Sequence, residues 1–432
     1  MSVMAVVALL GCGPGAEPPK EAPTAETDEP VVDTDEGVET DEETRPPCSP
    51  SGWAFLGTRA FGDLQEALDA SVAGDTIEVC PGVWTGTWRV LDDVPRVIVG
   101  MTGRAEDVVL SGRAYHPTLE VRGEAPEVEV RDLTFSTPEG AMGAIGLRVS
   151  GTMGSGAGRV VVSGCRFVGH RYLARSPALD TVGIAEVVIE DSVFEGTDTQ
   201  GDAPVTLHGV ERLVRVARSR FEGLRGVETA GVKIARLGWS TGLLRVVIED
   251  SAFVGNEAHT YLPRGMAVQV SLESVGPNEV VVRRSRFEGN RDDTYLWGGL
   301  QAGQGGALFV GTAVRAGPTS VVVEDSVFDD NGGHFASHIR LSREADGAPW
   351  TARIARTVVW RGSQPAEFEE ACVHAAVFAS AVGGELELEV EDVDVGAGPT
   401  ATFCTPFWEC RVPLEGLVSG VIRPHLEAWC PE

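Results

Sequence analysis

Lysine is nearly absent from this sequence. Of its 35 basic residues, only Lys20 and Lys233 are lysines, and the rest are arginines. The formal net charge of −29 at pH 7 means that phosphate groups would be repelled over most of the surface. The composition therefore offers no lysine-rich patch and argues against DNA, RNA and anionic membrane surfaces as partners.

The amino-terminal apolar run is too short to cross a membrane. Residues 3–11 fall far below the ~20 residues that a membrane-spanning helix needs, and they lead directly into Cys12. This arrangement is typical of a signal peptide. The letters LLGC at residues 9–12 resemble a bacterial lipobox, which implies a lipoprotein signal peptide over residues 1–12 and lipid attachment at Cys12. Gly13 after the cysteine implies outer-membrane sorting by the same resemblance, and a plain secretory signal or a chance cysteine is the alternative.

The next segment, residues 13–47, contains twelve acidic residues and two basic ones among repeated prolines. Such a composition has no apolar core to bury and repels itself. We therefore expect a disordered acidic tether here. Subtracting its net charge of −10 from −29 leaves −19 for the remainder, so the folded part is itself acidic.

A repeat of the form apolar-x-x-small-x-Phe runs through the rest of the chain. The seven copies are residues 130–135, 162–167, 189–194, 216–221, 248–253, 282–287 and 323–328. Two weaker copies, at 354–359 and 390–395, end in valine. Successive phenylalanines lie between 27 and 41 residues apart, so a unit of constant cross-section carries loops of variable length. This is typical of a solenoid, in which each repeat buries its apolar face only against its neighbours.

The alternation within one copy predicts two short strands that meet at a bend. Val187 and Ile189 point inward, the chain turns at Asp191, and Ser192 and Phe194 point inward again. The pattern predicts an all-β fold, a single-stranded right-handed parallel β-helix (solenoid) over residues 48–395 with coils ~4.8 Å apart.

The bend position carries charges that alternate in sign along the solenoid. The residues there are Asp132, Gly164, Asp191, Arg218, Asp250, Arg284, Asp325, Arg356 and Asp392. We interpret them as a stabilising surface ladder worth ~0.2–1 kcal/mol per step. Cys165 occupies the small inward slot that serine fills in other coils and is expected to be buried filler. Glu249 alternates outward, which predicts that its removal costs little.

Both ends of a solenoid need caps, because its last coils would otherwise expose core and sheet edge. Residues 61–71 predict an amino-terminal capping helix, with Asp63 and Glu66 in capping-box spacing. Cys48 and Cys80 flank this element and are expected to pair. Four further cysteines predict a disulfide-rich carboxyl-terminal cap over 396–432, in one of three connectivities: Cys372, Cys404, Cys410 and Cys430. Free buried thiols are the alternative.

These features together resemble a known superfamily. The capping helix, the segment GDTIEVCPGVW at 74–84 and the V-x-[DR]-S-x-F repeats resemble the pectin-lyase-like superfamily of right-handed parallel β-helix proteins. FxxN at 253–256, 287–290 and 328–331, with GGAL at 305–308, resembles the repeats of polymorphic outer-membrane proteins, which are adhesins. The resemblance implies the fold strongly and the function weakly.

Catalytic signatures of that superfamily are missing from the sequence. Asp292-Asp293 has neither a Gly-His-Gly nor an Arg-x-Lys partner, and no Arg-x-Pro-x-x-Arg or Trp-x-Asp-His segment occurs. Lys233 alternates outward on a predicted strand and is more readily an exposed side chain than a catalytic base. No metal site follows from His or Cys spacing. We expect no cofactor, with Ca²⁺ relevant only to a lyase.

Equal spacing from the phenylalanines points to one candidate ligand strip. Six residues after Phe253, Phe287 and Phe328 stand His259, Asp293 and His334. The aromatic residues that follow them are Tyr261, Tyr295 and Trp297. Stacked coils would align this strip along one edge, with flat rings suited to sugars. Solvated loop residues with coincidental spacing are the alternative.

The sequence therefore favours a surface-anchored lipoprotein whose β-helix binds polysaccharide or cell-surface glycan in the manner of an adhesin. Contact with the membrane is expected through the lipid alone, and the location is the outer membrane, facing the periplasm or the cell surface. A polysaccharide lyase or glycoside hydrolase is the alternative.

The anchor is testable by a single substitution at Cys12. We expect the wild type to partition with membranes because its amino terminus is acylated, and Cys12→Ser to be released in soluble form. Fractionation and mass spectrometry of the amino-terminal peptide provide the measurement. A wild type that is unmodified and fractionates like the variant would contradict the prediction.

Overall fold

Parallel strands dominate the computed structural model of the protein, and its described residues include one α-helix. It describes residues 48, 54–138, 144–172, 177–238, 240–259, 265–292, 306–312, 316–332, 336–343, 348–360, 375–381, 386–395, 402–404, 411–413 and 416–422. No helix in these ranges is both long and apolar enough to cross a membrane.

The first ladder is a parallel series in which each strand pairs with its equivalent one coil later. Its strands are β3 (Asp75–Val79), β6 (Arg96–Gly100), β9 (Glu127–Arg131), β12 (Arg159–Ser163), β16 (Glu186–Glu190), β20 (Leu213–Ala217), β24 (Leu244–Glu249), β28 (Asn278–Arg283), β32 (Thr319–Glu324), β35 (Trp350–Ala355) and β38 (Leu386–Val395).

The second ladder follows the first across the bend in each coil. Its strands are β4 (Gly82–Thr85), β7 (Val108–Ser111), β10 (Thr134–Ser136), β13 (Arg166–Val168), β17 (Val193–Glu195), β21 (Arg220–Glu222), β25 (Ala252–Val254), β29 (Arg286–Glu288), β33 (Val327–Asp329) and β36 (Val358–Trp360), and the last of these pairs with the end of β38.

The third ladder is a separate parallel sheet that ends in one antiparallel strand. It consists of β5 (Trp88–Val90), β8 (Pro117–Arg122), β11 (Ile145–Ser150), β15 (Leu179–Val182), β19 (Val205–His208), β23 (Val232–Arg236), β27 (Val268–Leu272), β31 (Leu308–Thr312), β34 (Ala336–Arg343), β37 (Ala375–Ala381), β39 (Thr402–Cys404) and β40 (Arg411–Pro413).

The fourth ladder is short, and a few elements lie outside the ladders. Its strands are β14 (Arg171–Tyr172), β18 (Asp198–Thr199), β22 (Arg225–Gly226), β26 (Glu257–Ala258) and β30 (Arg291–Asp292). The remaining elements are β1 (Ala54–Leu56), β2 (Arg59–Phe61), helix α1 (Leu64–Ala70), a 3-10 turn (Ala105–Asp107) and β41 (Gly416–Ile422), which is antiparallel to β38. This series of long parallel sheets is consistent with a parallel β-helix.

The repeat phenylalanines form one continuous stack in the core. Each of them pairs in register with its equivalent in the next coil, and each is fully buried. The seven residues are Phe135, Phe167, Phe194, Phe221, Phe253, Phe287 and Phe328. Neighbouring ring centroids lie 4.5–4.9 Å apart with nearly parallel planes. The seven-fold repeat in the sequence therefore has the packing that it predicts.

Buried polar side chains stack in the same way and satisfy backbone groups. The Ser219 hydroxyl accepts from the backbone N–H of Ser192 at 3.2 Å, and the pattern continues with serines in the following coils. Cys165 begins this column, and burial raises the pKa of its thiol to about 12, which removes it as a nucleophile. In the FxxN segments, the Asn256 amide donates to Asn290 at 2.8 Å, and Asn290 donates likewise to Asn331.

The bend residues adopt the left-handed conformation. Their φ values lie between 45° and 60°, and the residues are Asp132, Gly164, Asp191, Arg218, Asp250, Arg284, Asp325, Arg356 and Asp392. Arg218 pairs in bidentate fashion with Asp191 one coil earlier, with both distances 2.7 Å. The same pairing joins Arg284 to Asp250. These exposed pairs offset part of the ~1–2 kcal/mol that the left-handed conformation costs at each residue.

The contacts of Glu249 do not support the expectation that its removal costs little. Its residue is 5% exposed, and its carboxylate accepts from Arg215 at 2.9 Å, from Arg283 at 2.5 Å and from Arg284 at 3.3 Å. Alternation does place this side chain outward, but long arginines from the neighbouring coils cover it. Its removal leaves three guanidinium groups without their shared partner.

The predicted capping helix is present as α1. Asp63 caps its amino terminus by accepting from the Gln65 N–H at 2.9 Å, and the buried face consists of Leu64, Ala67 and Leu68. The Gln65 amide both donates to the Arg89 carbonyl and accepts from the Arg89 N–H, each at 2.8 Å. Gln65 thus substitutes for a neighbouring strand at the open edge of the third ladder.

The structure also confirms the first predicted disulfide. Cys48 and Cys80 are bonded, with their Cα atoms 5.8 Å apart. Cys372, Cys410 and Cys430 lie outside the described residues, and Cys404 ends β39, whose side chains are not described. The pairing of these four cysteines therefore stays a prediction.

Two substitutions, at residues four positions apart, test the register assigned to the strands. Phe253→Ala leaves a cavity between two stacked rings and is expected to cost about 3–5 kcal/mol. Glu249→Ala is expected to cost about 1.5–3 kcal/mol, because charged hydrogen bonds are lost in a covered position. Urea unfolding measures both.

The matched control is Glu222→Ala, which removes an exposed carboxylate paired with Arg220. Its expected cost is below about 1 kcal/mol. If Glu249→Ala and Glu222→Ala have the same midpoint as the wild type, the covered position assigned to Glu249 is incorrect.

Candidate functional site

The ligand strip predicted from spacing is described only at His259. This residue follows β26, its N–H donates to the Gly226 carbonyl at 2.9 Å, and its Nδ1 is buried without a hydrogen-bond partner among the described residues. The other members lie outside the described residues: Asp293, His334, Tyr261, Tyr295 and Trp297. The strip therefore stays a prediction.

Lys233 lies at the centre of a charged cluster on the outer face of the third ladder. Its Nζ is 3.1 Å from Asp202 and 2.8 Å from Glu228, and its side chain is 13% exposed. The His208 ring approaches Asp202 at 3.7 Å. The expectation of an exposed Lys233 side chain is therefore wrong. The sequence indicated its outward direction but not the partners that cover it, because they come from different loops and strands.

The electrostatics of this cluster oppose acid–base chemistry. Burial favours a lower pKa for Lys233, but the two carboxylates outweigh it and raise the pKa above its ordinary value. Burial raises the pKa of Asp202, but His208 and Lys233 outweigh it and leave a pKa of about 2. Lys233 therefore stays protonated and Asp202 ionised at neutral pH, so neither is a general base or acid of the required kind.

Two histidines are core residues rather than catalytic ones. His170 is fully buried, with Nε2 3.2 Å from the Phe135 carbonyl, and burial lowers its pKa to about 4. His338 is also fully buried, with Nδ1 3.1 Å from the Asn331 amide, and burial lowers its pKa to about 3. Both imidazoles are therefore neutral core side chains at neutral pH.

A surface cleft lies at the amino-terminal edge of the third ladder, beside its first strand, β5. A larger lobe of about 790 Å³ and a smaller lobe of about 370 Å³ share three lining residues, Gln65, Thr87 and Arg113. Helix α1 forms one wall with Asp69, and β5 contributes Arg89 to the lining of the larger lobe.

The opposite wall is the turn that precedes β8, with Arg113 and His116 exposed. A Cβ atom at Gly112 would lie 2.2 Å from Thr118 Oγ1, so only glycine permits this close approach of the turn to the strand. Tyr115 in the same turn has φ 63° and is 70% exposed. A bulky residue in that conformation is strained, and strained residues cluster at ligand sites.

Both signs of charge line the cleft, and several of the charges are already paired. Arg96 contacts Asp92 through two hydrogen bonds of 2.5 and 3.0 Å, and this contact lowers the pKa of the Asp92 carboxyl. Arg89 lies 3.3 Å from Glu120. Arg113 and the His116 ring have no hydrogen bond or ion pair with any described residue, which leaves their donors free.

The smaller lobe adds aromatic edges to these polar groups. Trp84 and Trp88 line it, and Gly86 lies so close to the Trp88 ring that a Cβ atom there would be 3.0 Å from Cζ2. The cleft offers hydrogen-bond donors, acceptors and apolar edges. Within the described ranges, no group of three or more His, Cys, Asp or Glu residues is placed to hold a metal.

Sequence reasoning did not find this cleft. Its residues come from the capping helix, the first strand of the third ladder and a turn that begins 42 residues after the end of the helix, so no spacing pattern joins them. The one available signal was the capping helix itself, because a cap meets the first coil at the end of the ladders.

The Asp202 cluster predicts a specific dependence of stability on pH. The carboxyl has a pKa of about 2 in the folded state against 3.8 ordinarily, so it stabilises the fold above pH 3.8 and loses this contribution as the pH falls towards 2. Asp202→Asn is expected to lower the free energy of unfolding by about 2 kcal/mol at pH 7. The difference from wild type should vanish near pH 2.

Urea melts at pH 7, 4 and 2 provide the measurement, and Asp107→Asn, at a surface carboxylate, is the control. A wild-type advantage that stays constant across this range would show that Asp202 is not held ionised by its neighbours.

Comparison of the chain with protein-family models, with curated proteins and with solved structures gave no match.

Proposed function

We propose that this protein is a surface-anchored lipoprotein whose right-handed parallel β-helix, of the pectin-lyase-like kind, is a scaffold that binds polysaccharide or cell-surface glycan. The stacked parallel ladders and the repeat motifs support this fold. The LLGC segment and the acidic tether support the anchor and a position at the outer membrane.

The observation that carries the binding function is the cleft at the amino-terminal edge. Sugars present hydroxyl groups to planar polar side chains and apolar ring faces to aromatic ones. The cleft supplies the first kind through Gln65, Asp69 and Arg113, and the exposed ring of Tyr115 supplies the second beside it.

Binding is favoured over catalysis by the state of the ionisable groups. In the Lys233 cluster, ion pairs hold the charges in their ordinary forms, and in the cleft Asp92 is bound to Arg96. Hydrolysis or elimination on a polysaccharide requires groups whose pKa values are moved towards neutrality. The pKa values of Lys233, Asp202 and Asp92 are moved in the opposite direction, away from neutrality.

A glycan panel with a cleft-filling variant tests this function. We expect the purified protein to bind at least one polysaccharide or surface glycan. Thr87→Trp, which fills the junction of the two lobes, is expected to weaken binding at least about tenfold. The control Leu243→Trp places the same ring on an exposed loop residue and should bind like wild type.

The same incubations report on the enzymatic alternative through reducing ends and the ultraviolet absorbance of unsaturated products. Release of either would replace the binding function with that of a hydrolase or a lyase. Failure to bind any glycan of the panel, or equal binding by both tryptophan variants, would refute the proposal.

A further inference from the structure

Arg113 differs from the other arginines of this acidic protein. Every other arginine whose side chain the structure describes takes part in an ion pair, a hydrogen bond or a cation–π contact. Arg113 has none with described residues, although carboxylates outnumber basic side chains almost twofold in the chain. Its five N–H donors are therefore available to a ligand.

The position of Arg113 also suits ligand binding. It lines both lobes of the cleft, at their junction with Gln65 and Thr87. The turn that carries it is held by a hydrogen bond of 3.1 Å from the Gly112 N–H to the Ser136 carbonyl and by one of 3.3 Å from the His116 N–H to the Arg113 carbonyl. The guanidinium group therefore projects from a backbone with little freedom, which reduces the entropy lost on binding.

The carboxylates on the opposite wall limit which ligands can bind at Arg113. Asp63 and Asp69 lie there on the capping helix, and each already accepts one hydrogen bond from Gln65. Their remaining oxygens accept hydrogen bonds from hydroxyl or ammonium groups and repel a second anion. The guanidinium fork matches the two oxygens of a carboxylate or phosphate. The cleft is thus suited to a ligand that carries one oxyanion at one end and hydrogen-bond donors at the other.

We infer that the cleft binds a sugar unit that carries a single oxyanion, with the oxyanion on Arg113 and the hydroxyl groups towards Asp63 and Asp69. The inference rests on the proposed glycan-binding function and specifies its ligand. A polymer with an anion on every unit is rejected, because its further charges meet the acidic wall. Carboxylate and phosphate share the chemistry that Arg113 recognises.

Titration calorimetry of the mature protein with matched probes tests this inference. The probes are glucuronic acid, glucose 6-phosphate, glucose, inorganic phosphate and a polyuronate. We expect at least one of the two singly substituted sugars to bind more tightly than glucose, inorganic phosphate and the polyuronate. The stronger of the two identifies the oxyanion, and added salt should weaken its binding.

Substitutions at Arg113 locate the interaction. Arg113→Ala is expected to weaken binding about 10- to 100-fold, whereas Arg113→Lys, which keeps the charge and loses the fork, should fall between it and wild type. Arg220→Ala, at an exposed arginine paired with Glu222, is the control and should bind like wild type. Thermal melts of all variants check that the fold is retained.

The outcomes separate this inference from the function on which it rests. If a neutral glycan binds in a manner that Thr87→Trp abolishes and Arg113→Ala leaves unchanged, glycan binding stands and the oxyanion assignment is overturned. Equal affinity for glucose and its acidic derivatives, or inorganic phosphate binding as tightly as the sugars, also overturns it. Absence of binding to every glycan removes both.

Discussion

Each coil of this protein can bury its apolar side chains only against the coils before and after it, and parallel register makes that burial work. Because equivalent residues pair directly, Phe194 meets Phe167 on one side and Phe221 on the other, with planes within a few degrees of parallel. A register shift of one residue in any coil would turn its phenylalanine outward and open a gap in the stack. The hydrophobic core is therefore a set of columns rather than a cluster.

The same register governs the polar groups. The hydroxyl groups of serines that follow the bend accept hydrogen bonds from backbone N–H groups one coil away. In the FxxN segments, the side-chain amide of Asn256 donates to that of Asn290, which donates to that of Asn331. On the surface, aspartates and arginines at the bend pair between coils, and Glu249 binds arginines from both neighbouring coils. Periodicity thus pairs many of the described arginines with carboxylates of a neighbouring coil.

Free binding groups are expected where the periodicity ends. At the amino-terminal edge, the third ladder has no preceding coil, and Gln65 replaces the missing strand at Arg89. The helix that supplies Gln65 does not cover the whole edge, and the gap between it and the turn at 112–116 is the cleft. One coil earlier, the corresponding link between β4 and β5 consists of Gly86 and Thr87, which offer no carboxylate to Arg113. Termination of the repeat, rather than the repeat itself, creates the candidate site.

Much of the fold could be predicted from the sequence because its determinants recur at readable positions. The phenylalanine ladder, the inward Val187 and Ile189, the bend at Asp191, the capping face of α1 and the Cys48–Cys80 bond all follow from local pattern, and the structure agrees with each. Periodicity was informative because one coil predicts the next. It was misleading at Glu249, where alternation gives the direction of a side chain but not what covers it.

The candidate site was decided by tertiary structure alone. Asp69, Arg89 and Arg113 share no spacing, and their meeting depends on how a helix closes the end of a sheet. Whether Lys233 is a free base or a paired cation likewise depends on loops that bring Asp202 and Glu228 to it. Sequence determined the repeating contacts because they are the same in every coil, and structure decided the contacts that occur once, because nothing else in the chain repeats them.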